Sequence, residues 1–414
     1  MTGVADAAYR LATDGAFGRA SGWQANLYDL LSEPEQDAGS LLLTPTGAGK
    51  TEAIVVPALG THRGGAPRRL FLIGPDNSPL DDYLYRLVPY LKASVQGDET
   101  PRTLCVDVSD DDTKANLCRR FFPDSTEDPT VETNPLEADV DLVLTTFSRF
   151  RALFFGSGGI NALPSSLFAP GGTPIRRDLF FFDEAHGYAP DAFAQFHRLV
   201  EFLFAEDTDV VVGSTTMPAA FQEELSFLEA IHVPASSIRG QRTLTHVPTA
   251  EPLAAMEAHI RRAYYQNARV LGACETDADA ESLYGRLRGA YPHNVYLYHA
   301  GQEAEARRRI YAQLRELEKE GEGYLLLTTG AALETSDLDA TVLLSTACSP
   351  ESLIRRAGRC NRRGDLPDAQ VFVVGDTLDT HARALPSAQA EAYLSALRAQ
   401  DNTPFDADFW KTFI

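Results

Sequence analysis

Residues 44–52, with the sequence TPTGAGKTE, have the types and spacing that bind a phosphate group. They follow the apolar run at 41–43, and a mostly apolar segment follows them. A short buried strand, a glycine-containing loop and the start of a helix direct backbone N–H groups toward one anion. The pattern predicts a P-loop, and a glycine-rich turn that binds nothing is the alternative. The predicted binding residues are Thr46, Gly47, Ala48, Gly49, Lys50, Thr51 and Glu52.

Each residue type in this loop has a separate task. Gly47 and Gly49 allow the backbone to approach the phosphates closely. Lys50 reaches the β- and γ-phosphates as a point charge, and the Thr51 hydroxyl is a ligand for Mg²⁺. We therefore expect a nucleoside triphosphate with Mg²⁺ at this loop.

An acidic pair after a second apolar run would complete such a site. Asp183 and Glu184 follow residues 179–182, LFFF, which have the composition of a buried strand. Asp183 would hold Mg²⁺ through water and Glu184 would polarise the attacking water, because phosphoryl transfer needs mainly positioning and charge neutralisation. A lone acidic pair after a strand is usually inert, so this prediction depends on the P-loop in the same sheet.

The composition is that of an ordinary folded protein. The chain has 414 residues, of which 44% are hydrophobic and 23% charged, and this predicts a soluble globular protein of two or three domains. Five scattered cysteines argue against a disulfide framework and against a zinc ribbon. No apolar run is long enough to cross a bilayer, and Asp6 and Asp14 interrupt the N-terminal segment, so we expect a cytoplasmic location without membrane partners.

The net charge of −21 excludes nucleic-acid binding by a general positive field. Any such site must be a local concentration of arginine, and the sequence has two, at 307–309 and between 355 and 363. The first cluster either contacts nucleic acid or is a solvated helix face.

Strands of the buried type alternate with helical segments along most of the chain. The strands of the first set are apolar on both faces, which is typical of a parallel sheet covered by helices on both sides. They are predicted at 70–73, 103–108, 141–146, 179–182 and 209–213. The periodicity lapses near residues 243–252, and a second alternating set follows. We predict an α/β fold with domains at 1–245 and 246–376 and a short helical tail at 377–414.

A cationic segment at 353–364 has the sequence LIRRAGRCNRRG. Its arginines at 356, 359 and 362 recur every three residues, so a helix would present them along one side. Such a row in the second domain either supplies arginine fingers to a γ-phosphate or forms an anion-binding surface helix.

The order of these motifs resembles that of a superfamily 2 helicase. The phrases are TPTGAGKTE, DEAH, STTMP, TTGAALETSDLD and IRRAGRCNRR, and with the residues ahead of the P-loop they span about 20–375. Within the superfamily, FFFDEAHGY and LIRRAGRCNRRG are similar to the helicase of type I CRISPR interference, the motor part of the CRISPR-associated helicase-nuclease. The resemblance implies two tandem RecA-like domains, ATP and Mg²⁺ as cofactors, and single-stranded DNA as the track.

The resemblance also implies roles for individual residues. Gln24 would contact adenine ahead of the P-loop, and a packed Trp-Gln helix is the alternative. Lys50 and Glu184 would be catalytic, with Arg359 and Arg362 as fingers. The residues that would contact nucleic acid or couple it to the nucleotide are Thr145, Thr146, His186, Ser214, Thr216, Glu334, Ser336 and Arg356.

Three positions depart from the family pattern. Arg355 stands where a glutamine commonly opens the final arginine motif. The coupling motif is one residue short, so either Asp337 or Asp339 takes the place of its aspartate. His299 is followed by Ala300 instead of the serine of the family's His-Ser pair.

None of the nine histidines is followed by aspartate, so the signature of a metal-dependent HD nuclease is missing from the sequence. The resemblance therefore implies a stand-alone motor whose nuclease is a separate polypeptide or has been removed, with a guide-RNA surveillance complex as a further partner. We predict an ATP-dependent DNA helicase or translocase that tracks along single-stranded DNA. The alternatives are a superfamily 2 motor that acts on RNA or in another defence or restriction system, and a nucleotide-gated binding subunit that does not unwind.

Overall fold

A computed structural model of the chain contains two units. The first comprises residues 1–44 and 49–233, and the second comprises residues 234–414 with the segment 45–48. The residues described are 6, 10, 20–32, 39–45, 48–60, 69–75, 87, 102–106, 109–110, 113–114, 117–121, 128–130, 141–155, 178–185, 188, 190–206, 208–233, 240–264, 267–291, 293–299, 301–336, 338–366, 368–378 and 385–414.

The first unit is an α/β unit built around a mostly parallel sheet. Its described helices are α1 (Gly22–Ser32), α2 (Lys50–Gly60), α3 (Phe147–Phe155), α4 (Pro190–Ala205) and α5 (Ala219–Glu224). Its described strands are β1 (Gly39–Leu43), β2 (Leu70–Gly74), β3 (Arg102–Val106), β4 (Ser109–Asp110), β5 (Thr113–Lys114), β6 (Leu117–Phe121), β7 (Asp128–Thr130), β8 (Leu142–Thr146), β9 (Leu179–Phe182), β10 (Asp209–Ser214) and β11 (Glu229–His232).

Nine of these strands form one sheet in the order β11-β1-β10-β9-β2-β8-β3-β6-β7 among the described residues. All neighbours pair in parallel except β6 with β3 and β7 with β6. Every residue of β2, β8, β9 and β10 is buried, because helices cover both faces of the sheet. Since β1, β10 and β9 are adjacent and parallel, the residues that follow them meet at one edge of the sheet.

An ion pair joins β2 and β9 at the opposite edge. Arg69 and Asp178 precede these strands, and both are buried. The guanidinium bonds the carboxylate through two contacts, Nη2 to Oδ2 at 2.6 Å and Nε to Oδ1 at 3.2 Å. Such a bidentate pair fixes the register of the two strand starts far from the edge that carries the motifs.

The second unit is also built around a mostly parallel sheet. Its described helices are α6 (Pro252–Tyr264), α7 (Asp277–Arg288), α8 (Ala304–Glu320), α9 (Gly330–Thr335), α10 (Pro350–Ala357), α11 (Ser387–Arg398) and α12 (Ala407–Lys411). Its described strands are β12 (Thr243–Val247), β13 (Arg269–Cys274), β14 (Val295–Tyr298), β15 (Tyr324–Thr329), β16 (Val342–Thr346), β17 (Gln370–Val374) and β18 (Thr403–Pro404).

These strands form a second sheet in the order β14-β15-β13-β16-β17-β12-β18, in which the described pairs are parallel except β18 with β12. The C-terminal helices pack on this unit. Trp410 and Tyr393 are fully buried, with their rings edge to face at 5.7 Å between centroids. The last helices are therefore part of the second core.

The fold class predicted from the sequence is confirmed, since the chain forms two mostly parallel sheets with helices. Three local predictions differ from the structure. The boundary placed at residue 245 falls inside β12, and the units divide after Val233 instead. The acidic residues 123–135 are rich in turn formers and predict a surface loop, but residues 128–130 form β7, which pairs antiparallel with β6. The tail contains the short strand β18 in addition to helices.

Among the described residues, no helix combines the length and the apolar composition that crossing a bilayer requires.

Candidate nucleotide-binding site

The predicted phosphate loop lies between β1 and α2. The Thr44 N–H donates to the Ser214 carbonyl at 3.0 Å, which ties the start of the loop to the end of β10. Helix α2 begins at Lys50, and its first residues, including Thr51, are buried. The chain thus passes from strand to loop to helix in the order that the sequence predicts.

The backbone of the loop has a conformation that requires glycine. Gly49 has a φ of 87°, which residues with a Cβ adopt only under strain. The Ala48 N–H donates to the Pro45 carbonyl at 3.2 Å and so closes a tight turn. Thr46 and Gly47, predicted to bind the phosphates, lie outside the described residues.

Gln24 of α1 contacts this loop directly. Its Nε2 donates to the Gly49 carbonyl at 3.0 Å, and its Oε1 accepts from the Ser21 N–H at 2.9 Å and the Ser21 hydroxyl at 3.0 Å. A Cβ on residue 49 would lie 2.6 Å from Gln24 Nε2, so the glycine makes this contact possible. The structure therefore places Gln24 beside the phosphate loop, and its contact with adenine stays a prediction.

Lys50 lies between the two predicted acidic residues. Its Nζ is 2.6 Å from Asp183 Oδ1 and 2.7 Å from Glu184 Oε1. Burial by itself lowers the pKa of the Lys50 ammonium, but the charges of Asp183 and Glu184 outweigh it and raise that pKa above its ordinary value. The lysine is therefore a cation at neutral pH, held at the edge where β1, β9 and β10 end.

The acidic pair itself adopts an unusual backbone conformation. Glu184 has a φ of 50°, and its N–H donates to Asp183 Oδ1 at 2.9 Å. The buried Tyr188 hydroxyl donates to the carbonyls of Ile73 at 3.2 Å and Asp183 at 3.4 Å. Left-handed non-glycine residues persist where the surrounding structure holds them, often at functional sites.

The end of β10 and the residues after it complete the surroundings of Lys50. A Cβ on Gly213 would lie 2.8 Å from Phe181 Cε2 and 3.1 Å from Lys50 Cδ, so a glycine leaves room for the lysine stem. The Thr215 hydroxyl donates to Glu184 Oε2 at 3.4 Å. Sequence reasoning singled out Ser214 and Thr216 but missed this contact, because strand spacing alone does not show which hydroxyl faces the acidic pair.

Ser214 and Thr216, the predicted coupling residues, are both buried. The Ser214 carbonyl accepts from Thr44, as described above. The Thr216 hydroxyl makes no hydrogen bond within the described part of the chain. Their predicted role in coupling stays a prediction.

The donor set near Lys50 fits Mg²⁺. The Thr51 hydroxyl and the Asp183 carboxylate are oxygen ligands, and Mg²⁺ bound with a nucleotide takes one or two protein oxygens together with water and phosphate. Among the described residues, no group of three or more His, Cys, Asp or Glu side chains could hold a metal ion, as a dedicated protein cage would require. The Thr51 and Asp183 oxygens suit a Mg²⁺ ion that is bound together with a nucleotide.

Thr145 and Thr146 end β8 and are both buried. The Thr145 hydroxyl donates to the Thr146 carbonyl at 3.4 Å, and the Thr146 hydroxyl accepts from the Arg149 N–H at 3.2 Å in the first turn of α3. Both hydroxyls thus make contacts within the first unit, and their predicted contact with nucleic acid stays a prediction. His186 lies outside the described residues.

The predicted row of arginines does not lie on one helix. Helix α10 ends at Ala357, with Gly358 as its C-cap, so only Arg356 is helical. Arg359 and Arg362 lie in the turn that follows, which we call the arginine turn, residues 359–363. The spacing of three was misleading because glycine ends the helix between the first and second arginines.

Arg356 is buried in the second unit. Its Nη1 donates to the Ser345 hydroxyl at 2.9 Å, and a Cβ on Gly330 would overlap its guanidinium. Arg359 is also buried, whereas Arg362 is partly exposed. The two predicted fingers therefore differ in exposure, and Arg356 packs inside the unit.

The Asp339 carboxylate accepts hydrogen bonds from the backbone of the arginine turn. It is fully buried and accepts from the Arg362 N–H at 2.7 Å and the Arg363 N–H at 3.2 Å. Burial raises the pKa of Asp339, and these two N–H groups oppose that shift. Asp337 lies outside the described residues, so the structure assigns a contact to Asp339 alone.

The other residues predicted in the coupling motif lie nearby in the sequence. The Ser336 hydroxyl donates to the Leu333 carbonyl at 2.9 Å at the end of α9, and Arg362 Nη1 donates to the Ser336 carbonyl at 3.5 Å. Glu334 lies in α9, but its side chain is outside the described part of the chain.

Two kinds of comparison with known proteins match the chain. Residues 266–365 match the family model of the CRISPR-associated nuclease/helicase Cas3, C-terminal. No curated protein matches the chain in sequence.

Solved structures match nearly the whole chain at low sequence identity. T. fusca Cas3 with AMPPNP has a TM-score of 0.64 and 19% identity, over 96% of this chain and 51% of that one. S. cerevisiae Dbp5 bound to RNA and ADP BeF3 has a TM-score of 0.61 and 16% identity, over 96% and 92%. The DUF1998 helicase MrfA bound to DNA has a TM-score of 0.65 and 13% identity, over 99% and 52%.

These likenesses concern the fold, and the chain spans about half the length of the Cas3 and MrfA structures. The chain thus has the two-domain RecA-like fold of these helicase structures, and its residues 266–365 resemble the C-terminal part of the CRISPR-associated nuclease/helicase Cas3.

Proposed function

We propose that this chain is an ATP-dependent motor that moves along single-stranded DNA and separates duplexes, as the motor subunit of a type I CRISPR interference system. ATP and Mg²⁺ are its cofactors. A guide-RNA surveillance complex recruits it, and a separate nuclease cuts the strand that it exposes.

The observation that carries this proposal is the position of Lys50, whose ammonium lies within 2.7 Å of both Asp183 and Glu184. A buried cation beside two carboxylates, where three adjacent parallel strands end, matches the needs of a triphosphate with Mg²⁺. The alternative, a glycine-rich turn that binds nothing, does not account for three charged side chains that lie together at this position.

The residues of the first unit divide the chemistry between them. Lys50 binds the β- and γ-phosphate oxygens, while Thr51 and Asp183 hold Mg²⁺. The bound Mg²⁺ supplies charge neutralisation on the phosphates. Glu184 orients and polarises the attacking water, and Gln24 contacts the adenine.

The second unit supplies cations for the transition state. Arg359 and Arg362 act on the γ-phosphate as fingers, a role in which one arginine contributes about 10³ to 10⁵ in turnover rate. Ser214, Thr216, Glu334 and Ser336 couple the nucleotide state to the strand, which Thr145 and Thr146 contact.

Sequence similarity supports DNA as the track and the CRISPR setting. The match at 266–365 is to Cas3, and one structural relative, MrfA, is bound to DNA. Another relative, Dbp5, is bound to RNA, so RNA is the track against which the proposal has to be tested. The net charge of −21 limits contact with the strand to local arginines and backbone N–H groups.

Strand displacement with labelled duplexes tests the proposal. We expect the purified protein with ATP and Mg²⁺ to separate DNA duplexes that carry a single-stranded overhang, and to leave blunt duplexes intact. The Glu184→Gln variant is the control, because it keeps the size of the side chain and removes its charge.

Each other outcome contradicts a specific part of the proposal. Separation of RNA duplexes alone would identify an RNA motor. ATP-dependent binding to DNA without separation would identify a nucleotide-gated binding subunit. The CRISPR setting fails if target DNA already opened by a purified guide-RNA complex stimulates ATP hydrolysis no more than the same DNA without the complex.

A further inference from the structure

The arginine turn has an irregular backbone, so its shape depends on partners outside it. Within the turn, Asn361 has a φ of 50°, and Gly364, just after it, has a φ of 81°. Arg242 Nη1 donates to the carbonyls of Ala357 at 2.6 Å and Cys360 at 2.5 Å, and so holds the side of the turn nearest α10. The backbone of Ala340 also bonds the turn, since its N–H donates to the Arg359 carbonyl at 3.0 Å and its carbonyl accepts from the Asn361 N–H at 2.9 Å. These contacts and the side-chain contacts together hold the turn in one shape.

The other side of the turn is held by carboxylates. Asp339 accepts the N–H groups of Arg362 and Arg363. Glu318, near the end of α8, in turn accepts from the Asp339 N–H at 2.8 Å and from Arg363 Nη2 at 2.9 Å. Glu318 thus contacts both the residue that holds the turn and a side chain of the turn itself.

The Glu318 side chain is buried, and each of its two carboxylate oxygens accepts two hydrogen bonds. Its side chain is 1% exposed, and its two oxygens also accept from the Tyr324 hydroxyl at 2.9 Å and Arg315 Nη1 at 2.9 Å. Four donors therefore meet one carboxylate, two of them guanidinium groups. Charge-assisted bonds of this kind are about twice as strong as neutral ones, and their low-dielectric surroundings strengthen them further.

We propose that Glu318 is a positioning residue that holds the arginine turn in the arrangement that Arg359 and Arg362 need to act on ATP. The inference rests on the proposed function for the role of these arginines, but the restraint itself follows from the contacts within the second unit. Glu318 lies outside every motif that the sequence singled out.

Glu318→Gln is the decisive substitution. Glutamine has one carbonyl oxygen and an amide group, so at least one of the four donors faces another donor, and all four lose the negative charge of their acceptor. Glu316→Gln is the matched control, since it makes the same change two residues earlier on α8, where Glu316 is 62% exposed and pairs with the exposed Lys319. If Glu318→Gln does not fold, Tyr324→Phe removes a single donor and keeps the ring in the core.

The first readout is independent of ATP. Trypsin cleaves after arginine, so native-state proteolysis reports how often the turn opens at residues 359, 362 and 363. We expect cleavage in the turn to be at least about tenfold faster in Glu318→Gln, while cleavage after the exposed Arg261 and Arg286 is unchanged. A turn cleaved at the rate of the wild-type protein, or equal acceleration at all sites, would overturn the inference.

The second readout uses ATP hydrolysis. A displacement of ~1 Å costs on the order of 100-fold in rate, so we expect kcat to fall at least about tenfold in Glu318→Gln with KM for ATP within about twofold. In an Arg359→Ala/Arg362→Ala background the same substitution should add less than about twofold, because both arginines that the turn positions are then absent. If the reductions in kcat multiply in the combined variant, Glu318→Gln acts by general destabilisation, which would contradict the positioning role.

The two readouts separate failure of this inference from failure of the proposed function. If Arg362→Ala turns over ATP as fast as the wild-type protein, the finger role fails, and the proteolysis still decides whether Glu318 holds the turn. If Arg362→Ala is slow and Glu318→Gln behaves like Glu316→Gln in both readouts, the inference alone is wrong.

Discussion

Replacing Lys50 with alanine should destabilise the first unit as well as remove its phosphate-binding charge. The Lys50 ammonium lies 2.6 Å from Asp183 Oδ1, and the Asp183 side chain is only 3% exposed. Without the lysine, that carboxylate loses an opposite charge that water cannot replace. The variant therefore tests whether these charges are coupled in the folded protein.

The size of the effect follows from burial. Removing one partner of a buried ion pair costs about 3 to 5 kcal/mol. The second contact adds less, because the Glu184 side chain is 32% exposed and its pairing is screened by solvent. We expect the free energy of unfolding to fall by about 3 kcal/mol in Lys50→Ala. About 2 kcal/mol of it should return in the double variant Lys50→Ala/Asp183→Asn, where the buried Asp183 charge is removed as well.

Hydrogen exchange of the amides in β9 measures the free energy of unfolding of the first unit, because those amides exchange when the unit opens. Glu184→Gln should cost less than about 1 kcal/mol in the same experiment, because its carboxylate is partly exposed. A loss below about 1 kcal/mol in Lys50→Ala, or an equal loss in the double variant, would refute the reasoning. Where the expected loss is found, Glu184→Gln is the better variant for activity measurements.

Three further predictions concern the first unit. Arg69→Met should lower the free energy of unfolding by about 3 kcal/mol, and the double variant Arg69→Met/Asp178→Leu should recover most of that loss. Thermal unfolding measures both changes, and no recovery in the double variant would contradict a buried ion pair. Gly213→Ala should cost about 1 to 3 kcal/mol in the same assay, because a Cβ meets Phe181 and Lys50; an unchanged melting temperature would contradict the close packing. Gly49→Ala should weaken ATP binding about tenfold, because a φ of 87° costs alanine about 1 to 2 kcal/mol. A fluorescent-nucleotide titration measures the affinity, and an unchanged value would contradict the need for glycine at this position.

The sequence predicts the first unit well where a strand runs directly into polar residues. The apolar runs before Thr44 and Asp183 are short, apolar throughout and followed by residues that cannot stay in a buried strand. Parallel packing then brings their ends to one edge, so both ends of the Lys50–Asp183 contact could be predicted from the sequence. The contact of Thr215 with Glu184 could not, because it depends on the side-chain direction after β10.

The second unit shows what local patterns leave out. The strand β12 alternates between buried and partly buried residues, so it has weaker apolar character than the central strands and was not predicted. The arginine spacing favoured one helix, but Gly358 ends it. The roles of Glu318 and Arg242 depend on contacts between residues far apart in the sequence, and no local pattern indicates them.

The rate of ATP hydrolysis with single-stranded DNA, single-stranded RNA or no nucleic acid tests the central claim most directly. We expect the wild-type protein to hydrolyse ATP slowly alone and at least about tenfold faster with single-stranded DNA than with RNA, and Glu184→Gln to lose this activity while remaining folded. Hydrolysis by Glu184→Gln at the wild-type rate, or a rate that neither nucleic acid changes, would contradict the account.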